Sequence, residues 1–218
     1  MIFWYTDNNI SKTIATAFRD KGMKTAHIDS FTPQPSIFYG IHRGCGNAMH
    51  VCKHTGYDYY YIDNGYTDAE YVNKDGLKNT REGTYRFVKN DMIEKYEGSG
   101  LPVVDPIKTC LIIPPSPYTA YFYNTTPEDF ILAIANKYPD FKYTIRKKSS
   151  ETDLESDILA HDCVIAFNSM AIVKAIELGK PVLDVKGITR AKELLIYNYE
   201  DVIGFYKDKQ FKLANLGA

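Results

Sequence analysis

The chain reads as an α/β protein made of two Rossmann-like halves, each an open parallel sheet, facing one another across a cleft. Three observations carry that expectation. Short apolar runs of strand length alternate with helix-length segments from the first residues onward, which argues for parallel strands joined by right-handed crossovers. The rhythm breaks over residues 63–100 and restarts at Cys110. The 218 residues also suffice for two small domains of about 100 residues each.

Taken in order, Ile2 to Tyr5 is the first strand, and Asn8 or Asn9 opens a helix that runs to about Lys21 and stops at Gly22. Thr25 to Ile28 and Ser36 to Ile41 are the next strands, the second opening on the turn His42-Arg43-Gly44-Cys45-Gly46. A helix over about Asn47 to His54 ends at Gly56, and Tyr57 to Ile62 is a further strand. Asp63-Asn64-Gly65-Tyr66 is a strand-end turn, followed by a polar insertion at about 64–84 and the run Thr84 to Asn90. Glu97-Gly98-Ser99-Gly100-Leu101-Pro102 has the composition of a linker, which divides the chain into 1–100 and 101–218.

The second half opens with a strand over Cys110 to Ile113, ending in Pro114-Pro115-Ser116-Pro117. Thr126-Pro127-Glu128-Asp129 starts a helix with proline at its first position, running to about Lys137. A strand over Phe141 to Arg146 and a helix over about Thr152 to His161 follow. Cys163 to Ala166 is then a buried strand, Asn168 or Ser169 caps a helix that Gly179 stops, and Pro181 to Val185 is another strand. Thr189 to Tyr197 has the pattern of a last helix.

Composition narrows the function classes. A net charge of −1 leaves no global basic field of the kind a nonspecific nucleic-acid binder shows, though a local basic groove stays open. The 18 tyrosines exceed what most chains of this size carry, and tyrosine both packs and stacks on flat ligands such as sugars or bases. Cys45 and Cys52 lack zinc-finger spacing, and Cys110 and Cys163 fall in buried strands, so all four read as reduced thiols. His50 and His54 stand four apart without the glutamate of a zincin, which makes them structural or substrate-facing. No run reaches the length of a membrane span and Met1 to Tyr5 reads as a strand, so a cytoplasmic location is expected.

Ligands of open α/β sheets bind beyond the carboxyl ends of the strands. In the second half those ends carry Ser116, the run Arg146-Lys147-Lys148-Ser149, and Asn168-Ser169-Met170. Hydroxyls, cations and a helix N-terminus together suit a phosphate, although a basic run of this kind is also an ordinary solvated loop. In the first half the strand ends carry His42, Arg43 and Asp63, with Tyr66 and Arg86 nearby. Asp63 or His42 is placed to take a proton from a hydroxyl nucleophile, while Asp-Asn-Gly is equally an ordinary turn.

The segment Asp157-Ile158-Leu159-Ala160-His161-Asp162-Cys163-Val164-Ile165-Ala166-Phe167-Asn168-Ser169, with Ala175, Gly179, Pro181 and Val182, resembles the donor-binding half of GT-B-type glycosyltransferases. The likeness is to the capsular-polysaccharide type and related sugar-nucleotide epimerases. The first half, through Ile41 to Gly44, Tyr60 to Tyr66 and Tyr85-Arg86-Phe87, resembles small α/β proteins, phage-encoded ones among them, that are regarded as glycosyltransferases.

The resemblance implies transfer of a sugar from a nucleotide sugar to a hydroxyl, without metal or other cofactor. The donor would meet Ser116, Arg146, Lys147, Asn168, Ser169, Met170 and Lys174; Asp63 or His42 would activate the acceptor, with Arg43, Tyr66 and Arg86 on its side. Lys174 stands where that family places a ribose-binding glutamate, and Glu177 follows three residues on. The acceptor would be a glycan or, for a viral chain in its host's cytoplasm, a hydroxymethylated DNA base. Two other classes use the same residues: a nucleotide- or partner-binding module without turnover, and a nucleotide-sugar hydrolase or epimerase.

Overall fold

Each sheet is organised around its first strand. The computed structural model describes residues 1–41, 44–67, 83–148, 150–190 and 193–216, which form two compact units, 1–93 with 206–218 and 94–205.

In the first unit β1 (Ile2–Tyr5) lies between β2 (Thr25–His27) and β3 (Ser36–Tyr39), and β4 (Tyr59–Asn64) follows β3, all parallel. The intervening helices are α1 (Asn9–Asp20) and α2 (Cys45–Thr55). Asn8 caps α1, its side-chain oxygen accepting from the N–H of Ile10 at 2.8 Å, and Gly22 leaves the helix at φ 76°. Alternate residues of the strands face opposite layers. Phe3, Ile37, Tyr39 and Ile62 pack with Ile14, Ala15 and Phe18 of α1, and Phe3 stacks on Phe18 with ring centroids 4.9 Å apart. Trp4 instead donates to Ser36 Oγ at 2.9 Å and meets the edge of Phe31.

This sheet departs from the parallel arrangement expected from the sequence. β5 (Thr84–Lys89) pairs antiparallel with β4, and β10 (Phe211–Lys212) pairs antiparallel with β5, so the sheet is mixed. An antiparallel neighbour needs no crossover helix, which is why the strand–helix rhythm stops here. Most of the polar insertion expected at 64–84 lies outside the described residues.

In the second unit β6 (Thr109–Ile113) is flanked by β7 (Lys142–Ile145) and β8 (Cys163–Ala166), with β9 (Val182–Asp184) beyond β8. All pairings are parallel. The helices are α3 (Pro117–Phe122), α4 (Pro127–Lys137), α5 (Leu154–Leu159), α6 (Ala171–Glu177) and α7 (Tyr199–Lys207), whose last two residues belong to the first unit. Cys110, Ile112, Cys163, Ile165 and Leu183 pack on Phe130 and Ile134 of α4. Right-handed crossovers send α5 and α6 to the other face, where they touch one another. All four cysteines are free and buried.

Two expected features are replaced. No helix covers the described part of 189–197: Leu195 exchanges backbone hydrogen bonds with Val182, and Ile196 pairs with Leu101. The exposed edge of β9 takes an extended partner there, and that pairing overrides the helical pattern of the local sequence. The stretch expected as a linker is paired as well, since Leu101 within it donates to the carbonyl of Ile196. No helix among the described residues is long and apolar enough to cross a membrane.

Candidate functional site

Numbered within its own unit, each set of parallel strands has the order 2-1-3-4. The chain runs outward from the first strand in one direction and then returns to its other side. Connections leaving adjacent strands on opposite faces open a crevice at their carboxyl ends. In the second unit that crevice lies between β6 and β8.

The connection after β6 leads through Pro114 and Pro115 to Ser116, whose Oγ caps α3 by accepting from the N–H of Thr119 at 3.2 Å. Tyr123 closes that helix, and its ring lies 5.3 Å from Phe167 in the connection after β8. Asn168 follows at φ 50°, a left-handed turn that asparagine tolerates better than bulkier residues. Ser169 Oγ accepts from the N–H of Ala171 at 3.2 Å, and Met170 opens α6 without a side-chain cap. Of the two expected cap residues, Ser169 supplies the acceptor and Asn168 the turn.

Asp184, at the end of β9, ties these connections together. Its Oδ1 accepts from the N–H of Asn168 at 2.9 Å and of Lys186 at 3.3 Å, and its Oδ2 from the N–H of Ile188 at 2.7 Å. The side chain is buried, and burial pushes its carboxyl up to about 6 against the opposing pull of those donors and of Lys95. A β-carbon on Gly187 would collide with this carboxylate. Lys186 then reaches back, its Nζ 4.5 Å from the centroid of Tyr123. The connections after β6, β8 and β9 are thereby joined through side chains.

The cations expected at this edge are mostly engaged elsewhere. Arg146 contacts Asp157 and donates to Thr152 Oγ1 at 2.8 Å and to the Thr152 carbonyl at 2.9 Å, which fastens the connection between β7 and α5. Lys174 forms ion pairs with Glu155 at 2.9 Å and Glu177 at 3.1 Å, and those contacts raise its affinity for its proton. Lys147 is exposed. Ser149 lies outside the described residues.

In the first unit Asp63 stands at the end of β4, directly opposite Arg86 on β5. Asp63 Oδ1 accepts from the N–H of Asn64 at 2.9 Å, and Oδ2 from Arg86 Nη2 at 3.0 Å. Arg86 also donates to the Asn64 carbonyl at 3.2 Å and lies 4.4 Å over the ring of Tyr66, which meets Tyr206 edge-on. Burial works against the charge of Arg86, but Tyr66, Asp63 and Tyr61 outweigh it and hold the guanidinium more firmly charged. Three expected residues, Asp63, Tyr66 and Arg86, thus form one cluster. His42 and Arg43 lie outside the described residues.

Sequence reasoning missed Asp184, Lys186, Lys95 and Tyr123. The signal for Asp184 was present: an aspartate ending an apolar run, the same criterion that selected Asp63. Nothing local marked Lys95 or Tyr123.

No protein-family model matches the chain, and no curated protein matches it in sequence. Among solved structures it is similar to Thermosulfurimonas dismutans KpsC, β Kdo 2,7 transferase, with a TM-score of 0.52 at 9% identity over 94% of this chain and 90% of that one. The KpsC β Kdo 2,4 transferase of the same organism matches over the same shares at 11% identity with a TM-score of 0.44. An ABC transporter solute-binding protein from Conexibacter woesei gives 0.29 at 9% identity, over 87% of this chain and 71% of that one. At these identities the likeness is one of fold.

Proposed function

We propose that the chain is a glycosyltransferase that moves a sugar from a nucleotide-sugar donor to a hydroxyl. The observation that carries this reading is the strand order of the second sheet, which reverses between β6 and β8, the strands followed by Ser116 and by Asn168-Ser169-Met170, the latter turn held by Asp184. Parallel sheets of this order take nucleotide ligands at that place. The fold likeness to a β Kdo 2,7 transferase supports the same reaction class.

In this reading the donor's phosphate lies against the turn Asn168-Ser169-Met170, with Lys147 at the rim. The acceptor's hydroxyl loses its proton to Asp63 or His42 and its oxygen bonds to the anomeric carbon. The bond from that carbon to phosphate breaks, and the nucleotide leaves with the electron pair. An ionised carboxylate has about four acceptor positions, so the two bonds that Asp63 makes leave it capacity for a hydroxyl. Arg86 holds Asp63 in place and Tyr66 lies against the guanidinium; the reading keeps Arg43 as an acceptor contact. A net charge of −1 favours a glycan acceptor over DNA.

One observation favours the binding-module reading. Where the resembling family carries a carboxylate toward the ribose, this chain places Lys174 and pairs it with Glu155 and Glu177.

The test is nucleotide release from a panel of nucleotide sugars, with and without glycan acceptors. Release that requires acceptor and falls at least a hundredfold in Asp63→Asn supports the transferase with Asp63 as base. Acceptor-dependent release untouched by that substitution moves the base to His42. Release from donor alone identifies a hydrolase, and binding without release identifies the module.

A further inference from the structure

The chain comes back to the first unit after residue 205 and sets Gln210 against the turn that follows β4. Gln210 Oε1 accepts from the N–H of Tyr66 and from the N–H of Thr67, the second at 3.0 Å. Its Nε2 donates to Thr67 Oγ1 and, at 3.4 Å, to the Thr67 carbonyl. One half-buried side chain thereby holds two successive backbone donors that lie far from it in sequence. The turn is closed tightly around it. Gly65 does not lie in the left-handed region, so its backbone makes no demand for glycine; a β-carbon there would instead collide with Thr84 and with Gln210 itself. Thr84 Oγ1 donates to the Thr67 carbonyl, and the N–H of Gly65 donates to the Thr84 carbonyl at 2.8 Å.

From Gln210 a train of contacts leads to Asp63. Gln210 fixes the backbone of Tyr66, whose ring lies 4.4 Å from the guanidinium of Arg86 and meets Tyr206, from the same returning segment, edge-on at 4.5 Å. Arg86 donates to the Asn64 carbonyl at 3.2 Å and to Asp63 Oδ2 at 3.0 Å. Tyr66 and Arg86 are buried, whereas Asp63 stays open to solvent. An enclosed series of contacts that ends on an accessible carboxylate is suited to aiming that carboxylate, because a reacting group keeps its direction only when the groups behind it are locked.

We propose that Gln210 is a positioning residue for Asp63: it holds Tyr66 in the place from which Arg86 aims the carboxylate at the acceptor hydroxyl. The role toward an acceptor rests on the transferase reading above, with Asp63 as base; the hold on Arg86 does not. Without Gln210 the N–H groups of Tyr66 and Thr67 lose their acceptor in a partly enclosed turn. Unmet donors there are costly, so the turn moves to satisfy them and takes Tyr66 with it. A displacement of about 1 Å at a reacting group lowers its rate by up to about a hundredfold.

The experiment compares wild type with Gln210→Met, which keeps the reach of the side chain and removes its polar atoms. Gln210→Glu keeps an acceptor for the two N–H groups. Gln34→Met is the control, a glutamine ahead of β3 whose side chain bonds Thr32. Two quantities are measured well below the lowest melting temperature: hydrogen exchange at Arg86 Nε–H by NMR without substrate, and nucleotide-sugar turnover with glycan acceptors. The expected result for Gln210→Met is exchange at least tenfold faster and an acceptor kcat/KM at least tenfold lower, with the donor KM unchanged. Gln210→Glu and Gln34→Met stay within about threefold of wild type on both measures. Added to Asp63→Asn, Gln210→Met lowers turnover no further, because residues that act through one another are not additive.

An unchanged acceptor kcat/KM in Gln210→Met overturns the inference. So does a further loss when that substitution joins Asp63→Asn, and so does turnover that falls in Gln210→Met yet is untouched by Asp63→Asn. The two readings fail separately. Faster exchange at Arg86 in a protein that turns over no nucleotide sugar removes the transferase and leaves Gln210 as the residue that holds Arg86. Turnover and exchange both at wild-type values in Gln210→Met remove the positioning role and leave the transferase.

Discussion

Asp184 shows how much a single buried carboxylate organises. Its carboxyl sits at about 6 in the fold against an ordinary 3.8, a difference of about 3 kcal/mol. The folded state therefore holds this proton more tightly than the unfolded chain. Between about pH 4 and pH 6 the residue's contribution to stability falls as pH rises, and above that it is constant. Asp184→Asn does not titrate, so its stability relative to wild type should improve from about pH 4.5 to pH 7.5, as read by urea unfolding. A difference independent of pH would show that the carboxyl titrates normally. Gly187→Ala, by contrast, should lower stability at both pH values, because the added carbon meets the carboxylate itself.

The ion pair of Asp63 and Arg86 invites an asymmetric prediction. Arg86 is almost fully enclosed, while Asp63 keeps 37% of its side chain exposed. Asp63→Ala strands a buried guanidinium and should cost about 3 kcal/mol or more. Arg86→Met leaves a carboxylate that water can reach and should cost less. Equal losses, measured by denaturant unfolding, would mean that the pair is not the source. The sequence made Asp63, Tyr66 and Arg86 legible as polar or aromatic residues near strand ends, and the cross-strand register of β4 and β5 is what makes them one cluster.

At the scale of elements, most strands and helices were readable, because caps and stops are local chemistry. Asn8, Ser116, Thr126 and Asp153 each supply a side-chain acceptor to the first turn of the helix they precede. α6 is short and its N-cap residue Met170 offers no side-chain acceptor, Ser169 reaching only the N–H of Ala171, so packing stabilises it: Ile172 and Ile176 are buried beneath the sheet. Ile172→Ala should cost about 2–5 kcal/mol, and a smaller loss would mean that the helix re-forms around the gap. Elements set by distant partners were less legible. The segment around Leu195 has a helical pattern yet lies extended against Val182, and β10 is two residues whose role as a strand depends on β5.

At the scale of the whole molecule, the chain returns to its first unit at its end. Leu213 and Leu216 fill the core beside Phe3, Ile14 and Phe18, and Phe211 stacks on Phe87. A fragment ending at residue 93 lacks these groups and should expose apolar surface, seen as dye binding and loss of cooperative melting. Addition of a peptide covering 206–218 should restore the transition. A cooperative fragment without the peptide would show that the returning segment is dispensable.

By itself the sequence determined the alternation of strands and helices, the repeat of one architecture in two halves, and where most of the strands end. All of these follow from periodicity, caps and turns within a few residues. The tertiary structure alone decided the antiparallel edge of the first sheet, the engagement of Arg146 with Asp157, and the hydrogen bonds of Asp184 to the backbone of Asn168, Lys186 and Ile188. Those depend on which strand lies beside which, and long-range pairing is set by the burial of whole faces, to which no short stretch of sequence testifies.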